Sequence, residues 1–209
     1  MRQSRSRRSF APIPGTEAPA RGLFIDRWGT LLEMPSNGVF ERFDKVRFVP
    51  GAIDALFRTC QAGWRVYLIG NEDGVARGTV RDEAWFEFEH ALLEHLRGFG
   101  VSIARNYACL EDPHGGSGAH RKCSVFRLPD TGIFFHAQQC DGVQLRKSFV
   151  IGDSSLEIAA GTRSGLRTIG VRTGDACRDG ALKVEPEVEV ASLTEALELF
   201  QHSESFARP

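Results

Sequence analysis

One short stretch, residues 23–32, constrains the fold of this 209-residue chain most strongly. Its sequence reads Leu-Phe-Ile-Asp-Arg-Trp-Gly-Thr-Leu-Leu, so three apolar residues end in Asp26 and a Gly-Thr turn signal follows. An apolar run closed by a turn predicts a strand buried in a parallel sheet. Open α/β sheets carry their functional side chains at the carboxyl ends of strands. Asp26 is therefore a candidate nucleophile or ligand of a hard cation, although a strand-end aspartate can also simply cap a turn.

Further strand-like segments alternate with helical ones along the rest of the chain. Apolar runs at 65–69, 101–109, 148–151 and 167–171 read as strands, and the segments between them carry helix-type spacing of apolar residues. Strand, helix and strand in succession imply right-handed parallel crossovers. The pattern predicts one α/β domain over residues 21–202, preceded by a flexible basic tail at 1–20 and followed by a short tail at 203–209.

Composition excludes some classes of partner. The 26 basic and 27 acidic residues nearly cancel, so no net field favours nucleic acid or a membrane surface. The apolar runs have the length of strands rather than of bilayer spans. Five scattered cysteines fit reduced thiols in a cytoplasmic protein better than a disulfide frame.

The segment Asp26-Arg27-Trp28-Gly29-Thr30 resembles the first motif of the haloacid dehalogenase (HAD) superfamily, Asp-x-Asp-Gly-Thr. Within it, the chain is most similar to the histidinol-phosphate and heptose-bisphosphate phosphatases, from about residue 23 to residue 200. A second segment, Gly152-Asp153 through Ala160-Gly161, resembles the last motif, with Glu157 in place of its second aspartate. The resemblance implies a three-layer α/β/α Rossmann-like fold with a parallel sheet and no cap domain. It also implies that Asp26 attacks phosphorus and that Asp26, the carbonyl of Trp28 and Asp153 hold Mg²⁺.

Other positions depart from the family pattern. Trp28 replaces the aspartate that protonates the leaving group, and an indole N–H can only donate. Gly70 replaces the phosphate-binding hydroxyl of the second motif, while Asn71 is retained. In the third motif, Arg127 is retained and Leu128 replaces the lysine that neutralises the phosphate. The resemblance leaves Gly70, Asn71 and Arg127 as the phosphate-binding set.

These departures predict a degenerate phosphatase-like protein, weakly active or inactive, that retains binding of Mg²⁺ or of a phosphorylated ligand. The expected loss of rate is large, because general acid–base catalysis alone contributes ~10²–10⁴ in rate. The alternative is an active Mg²⁺-dependent phosphomonoesterase on a small sugar phosphate or histidinol phosphate, with Arg127 as cation and Glu72 or Asp73 as acid. A third hypothesis is a protein-binding module or a dehalogenase-like hydrolase, since dehalogenases of this superfamily also carry an aromatic residue two positions after the nucleophile. Whether the chain is an enzyme is left open by the sequence, and its expected partner is a small phosphorylated metabolite or another protein.

A loop at 109–129 raises the question of zinc. Relatives carry a Cys-x-His…Cys-x-Cys site here, but Glu111 and Val125 stand at two of the ligand positions. A rearranged set has the ligand types of tetrahedral zinc: Cys109, His114, His120 and Cys123. Because the spacing is unusual and the linker is glycine-rich, a metal-free loop is the favoured expectation.

Overall fold

A computed structural model describes residues 20–35 and 42–202 of the chain, without the side chains of residues 201 and 202. The tails predicted at 1–20 and 203–209 therefore lie outside the described residues, apart from Ala20.

A parallel sheet of six strands organises the described residues, with the order β3-β2-β1-β4-β5-β6. The strands are β1 (Gly22–Asp26), β2 (Arg65–Asn71), β3 (Ile103–Cys109), β4 (Phe149–Gly152), β5 (Arg167–Val171) and β6 (Val188–Val190). All five residues of β1 are buried, and this strand pairs with β2 on one side and β4 on the other. The predicted parallel α/β sheet is confirmed, with β1 at its centre as the apolar run requires.

The described residues also form six α-helices, of which the first five lie between strands and the last follows β6: α1 (Ala52–Gln61), α2 (Asp73–Ala76), α3 (Asp82–Gly98), α4 (Gly132–Asp141), α5 (Ser155–Ser164) and α6 (Leu193–His202). Ser154 begins α5 as its N-cap, because its side chain accepts the N–H of Leu156 at 3.1 Å. In the described part of the chain, no helix is both long enough and apolar enough to cross a bilayer.

Two apolar cores lie on opposite faces of the sheet, which gives the three-layer arrangement. The alternation of β1 directs Leu23 and Ile25 into one core and Phe24 into the other. Leu128 belongs to the second core and is 2 % exposed. Burying a leucine side chain contributes about 1.5–3 kcal/mol, so the residue that replaces the family's lysine has become part of the packing.

The connection from β1 to α1 spans residues 27–51, of which the structure describes 27–35 and 42–51. Its described residues contain one 3-10 turn, Phe43–Lys45, and the ring of Phe43 lies 6.0 Å from that of Phe88 on α3. The described residues of this segment pack against α3 and form no separate layer, as expected for a fold without a cap domain.

Candidate active site

The carboxyl ends of the three central strands open into one pocket of about 300 Å³. Asp26 ends β1, Glu72 follows β2 and Asp153 follows β4. Because parallel strands all point the same way, their carboxyl ends meet at a single edge of the sheet. The described lining includes six carboxylate side chains and no lysine or arginine: Asp26, Glu72, Asp73, Asp153, Glu157 and Asp175.

Asp153 is held in a fixed position by its neighbours. Its Oδ1 accepts a hydrogen bond from the hydroxyl of Thr30 at 3.1 Å, and its Oδ2 accepts the backbone N–H of Asp175 at 2.7 Å. Gly29 and Gly174 press against the same carboxylate with positive φ angles of 80° and 62°, and a Cβ at either would overlap it. Only glycine combines this conformation with so close an approach.

Two other buried carboxylates, Asp153 and Glu157, crowd the nucleophile candidate Asp26. Burial raises the pKa of Asp26 well above its ordinary value, the charges of Glu157 and Asp153 raise it further, and Arg27 opposes them. Burial raises the pKa of Asp153 to about 6, and burial together with Asp153 raises the pKa of Glu157 to about 7. Among the described residues, Oε2 of Glu157 is buried with no hydrogen-bond partner.

This crowded acidic corner fits a divalent cation. Magnesium prefers hard oxygen ligands and is commonly held by one or two carboxylates together with waters and phosphate oxygens. Asp26, Asp153 and the carbonyl of Trp28 could supply such a set. A cation there would favour the ionised form of these carboxyl groups, whose pKa values are raised chiefly by burial.

A second buried network lies under the opposite side of the pocket. Nη1 of Arg27 forms a salt bridge with Oε1 of Glu72, and the indole N–H of Trp28 donates to Oε2 of Glu72 at 3.2 Å. The indole ring stacks on Phe88 with ring centroids 5.3 Å apart. Burial raises the pKa of Glu72, although Arg27 and Trp28 act in the opposite direction. Trp28 therefore fixes a second carboxyl group beside Asp26.

The predicted phosphate-binding residues have different surroundings. Gly70 and Asn71 lie at the end of β2 next to Asp26, and the side chain of Asn71 bonds the backbone N–H and carbonyl of Leu128, both at 2.9 Å. Arg127 instead donates to Asp73 at 2.8 Å and to Asp112 at 3.3 Å, and it does not line the pocket. The structure therefore brings Asn71 into the pocket lining, keeps Gly70 next to Asp26 behind that lining, and directs Arg127 into the adjacent loop.

The rearranged zinc set is not assembled. The thiol of Cys109 donates to the carbonyl of Glu111 at 3.6 Å, Nε2 of His120 lies 2.9 Å from Asp82 on α3, and Cys123 is exposed. His114 contributes its backbone N–H to Asp112 at 2.9 Å. Over the described ranges, no group of three or more His, Cys, Asp or Glu side chains is arranged to hold a metal ion. The magnesium set described above contains only two carboxylates, so this finding does not bear on it. Within the described residues, hydrogen bonds such as that from the His114 N–H to Asp112 hold the loop.

Sequence reasoning missed three residues of the site. Thr30 belongs to the quoted Gly-Thr signal, so its position next to Asp153 could have been inferred from the sequence. Arg27 continues the alternation of β1, but its partners come from three other elements. Asp175 lies on a loop after β5 that carries no recognisable pattern.

The chain is similar to proteins of known families. A family model described as HAD-hydrolase-like matches residues 125–196. The D-glycero-D-manno-heptose-1,7-bisphosphate 7-phosphatase of Chlorobaculum tepidum is 32 % identical over 161 residues, which cover 74 % of this chain and 80 % of that protein. The D-glycero-beta-D-manno-heptose-1,7-bisphosphate 7-phosphatase of Photorhabdus laumondii is 28 % identical over 153 residues, which cover 73 % of this chain and 80 % of that protein.

A solved structure has the same fold. The D,D-heptose 1,7-bisphosphate phosphatase of B. bronchiseptica, crystallised with magnesium and phosphate, superposes with a TM-score of 0.74 at 24 % identity. The match covers 88 % of this chain and 99 % of that one. The same architecture therefore accommodates both magnesium and phosphate in that protein.

Proposed function

Because the chain belongs to the haloacid dehalogenase superfamily, we propose that it is an active, magnesium-dependent phosphomonoesterase acting on a small phosphorylated metabolite. Its relatives are named as phosphatases, which favours this function over the degenerate protein that motif counting predicts. The observation that carries the proposal is the buried carboxyl of Glu72, held by Trp28 in the same pocket as Asp26. It offers the proton donor that the first motif lacks.

The proposed chemistry uses two carboxyl groups in different protonation states. Asp26, whose ionised form a bound magnesium ion would favour, attacks phosphorus and forms an aspartyl-phosphate, which water then hydrolyses. Glu72, whose pKa is raised mainly by burial, donates a proton to the leaving oxygen and afterwards accepts one from the attacking water. Such acid–base assistance contributes ~10²–10⁴ in rate. Bound magnesium would be held by Asp26, Asp153 and the Trp28 carbonyl, and would offset negative charge on the phosphoryl oxygens.

Phosphate binding is assigned to backbone groups at the end of β2. The side chain of Asn71 is already engaged with the backbone of Leu128, so its contribution would be to orient that backbone. Arg127 is committed to Asp73 and Asp112, and its proposed role is to fix the loop beside the pocket rather than to contact phosphate.

A second candidate is a weakly active or inactive protein that binds a phosphorylated ligand. The absence of lysine and arginine from the described pocket lining favours it, because carboxylates alone repel a phosphate dianion. The two candidates differ in turnover, which decides between them. The cytoplasmic location inferred from cysteine usage stays a prediction.

The test is release of inorganic phosphate by the purified chain with Mg²⁺ from a panel of esters that includes sugar phosphates, a heptose bisphosphate and histidinol phosphate. We expect turnover that disappears in Asp26→Asn and falls at least ~10²-fold in Glu72→Gln. Glu83→Gln, an exposed residue of α3, is the matched control and should keep full activity. A silent panel combined with calorimetric binding of phosphate would favour the second candidate, and chloride release from 2-haloacids would indicate a dehalogenase instead.

A further inference from the structure

Arg27 and Gly70 are neighbours across the two central strands. Asp26 pairs with Ile69 in the β1–β2 register, so the next residue of each strand continues onto the other face of the sheet. A Cβ built on Gly70 would lie 2.9 Å from Nη1 of Arg27 and 3.3 Å from Oδ1 of Asp26. The guanidinium therefore occupies the space that a side chain at position 70 would need.

The guanidinium is fixed on its other sides as well. Arg27 is fully buried, and its Nη2 donates to Oδ1 of Asn106 at 2.6 Å. Its Cζ lies 5.1 Å from the ring centroid of Trp85, within the range of a cation–π contact. A fully buried arginine is rare without partners, and this one is held on three sides by β3, α3 and Glu72.

One point above Gly70 brings the three charged groups together. Nη1 of Arg27, Oδ1 of Asp26 and Oε1 of Glu72 all lie within 3.6 Å of the position that its Cβ would take. The positive charge of Arg27 at this distance holds the side chain of Glu72 in place, and it opposes the rise that burial causes in the pKa of both carboxyl groups. Leu128 cannot supply that charge, since it is packed in the second core.

We propose that Arg27 is the positioning residue that supplies the site's positive charge from the first strand, and that Gly70 is glycine because it makes room for that guanidinium. The catalytic part of this inference rests on the proposed phosphatase function. Arg27 would act by holding Glu72 against Trp28 beside Asp26, without touching the substrate. Leu128 in place of the family's lysine and Gly70 in place of its hydroxyl residue would then be linked changes, both compensated by Arg27.

The steric half is tested by thermal unfolding, which needs no substrate. Gly70→Thr alone should lower the Tm, whereas Gly98→Thr, at a glycine with nothing within 4 Å of an added Cβ, should lower it less. Combined with Arg27→Ser, the threonine gains room, so the double variant should be more stable than the sum of the two single changes predicts. Additive losses would overturn the pairing of Arg27 with Gly70.

The charge half is tested by kinetics on two conservative variants. Arg27→Gln keeps N–H donors for Glu72 but removes the charge, and Arg27→Lys keeps the charge. We expect Arg27→Gln to lower kcat at least ~10-fold with little change in KM, and Arg27→Lys to recover most of that loss. Two results would overturn the role of the charge. One is an Arg27→Gln variant as active as an active wild type, and the other is an Arg27→Lys variant with the same low kcat and the same Tm as Arg27→Gln. A silent wild type would instead refute the proposed function and the charge role together, while the thermal comparison would still decide the pairing.

Discussion

The stability of the metal-free protein should fall as the pH rises from about 4.5 to about 7, and Glu157 is the clearest cause. Burial, together with the charge of Asp153, raises the pKa of Glu157 from 4.5 to about 7. Between these two pH values the folded protein binds a proton that the unfolded chain has released. The contribution is therefore fully present below pH 4.5 and is lost as the pH rises through about 7.

The magnitude follows from the size of the pKa change. Each pKa unit corresponds to about 1.4 kcal/mol, so ionising Glu157 in the folded state costs roughly 3 kcal/mol of the free energy of unfolding. That is a large share of the 5–15 kcal/mol typical of a domain. Asp153, whose pKa is raised to about 6 by burial, acts in the same direction, so a single variant is needed to isolate Glu157.

The assay is urea unfolding with EDTA at pH 5 and at pH 8, on the wild type and on Glu157→Gln. Glutamine has nearly the same shape and stays neutral, so the wild type should lose about 2.5 kcal/mol more than the variant between these pH values. Exposed Glu185→Gln serves as the matched control and should follow the wild type. Adding Mg²⁺ at pH 8 should stabilise the wild type, because a cation favours the ionised carboxylates. Parallel pH profiles for the wild type and Glu157→Gln would refute the reasoning.

Three further expectations concern the pocket and its margin. Trp28→Phe keeps an aromatic ring next to Phe88 but removes the N–H donor to Glu72, so kcat should fall about tenfold in the phosphate-release assay, and an unchanged kcat would exclude Trp28 from positioning the acid. Arg127→Ala leaves the buried Asp112 without its ion pair and should lower the free energy of unfolding by about 1–3 kcal/mol in urea, with KM unaffected because the residue lies off the pocket; a raised KM would place it at the substrate. A substrate with a second phosphate should show a lower kcat/KM than the matching monophosphate, since carboxylates line the described pocket, and the difference should shrink as salt is added; equal values at low salt would contradict this reading of the charges.

Much of the fold could be predicted because its signals are local. The apolar run before Asp26 gives a central strand. Ser192 followed by Glu195 is a capping-box pattern at the start of α6, and there the N–H of Glu195 donates to the Ser192 hydroxyl at 3.4 Å. The sixth strand was missed, since Val188–Val190 is only three residues long and lies at the edge of the sheet. A strand this short carries too few residues to show a period.

The site was predicted less completely, for a physical reason. The positions of Asp26 and Asp153 follow from strand ends, which are readable one segment at a time. The network around Arg27 depends on Asn106 in β3 and Trp85 in α3, so it exists only once three elements have packed. When motifs are compared one position at a time, Trp28 and Gly70 count only as lost functional groups. That comparison cannot show that Arg27 fills the space beside Gly70 or that Trp28 contacts Glu72.

The two sides of the pocket differ in how well they tolerate substitution: one side holds Asp153 between Gly29 and Gly174, and the other lies around Gly70. Any side chain at Gly29 or Gly174 would displace the carboxylate, so that side accepts almost no substitution. The side around Gly70 has already taken a different set of polar groups on an intact sheet. If the proposed roles hold, substitutions could change proton delivery and substrate choice on the Gly70 side, while the glycines around Asp153 keep the other side constant.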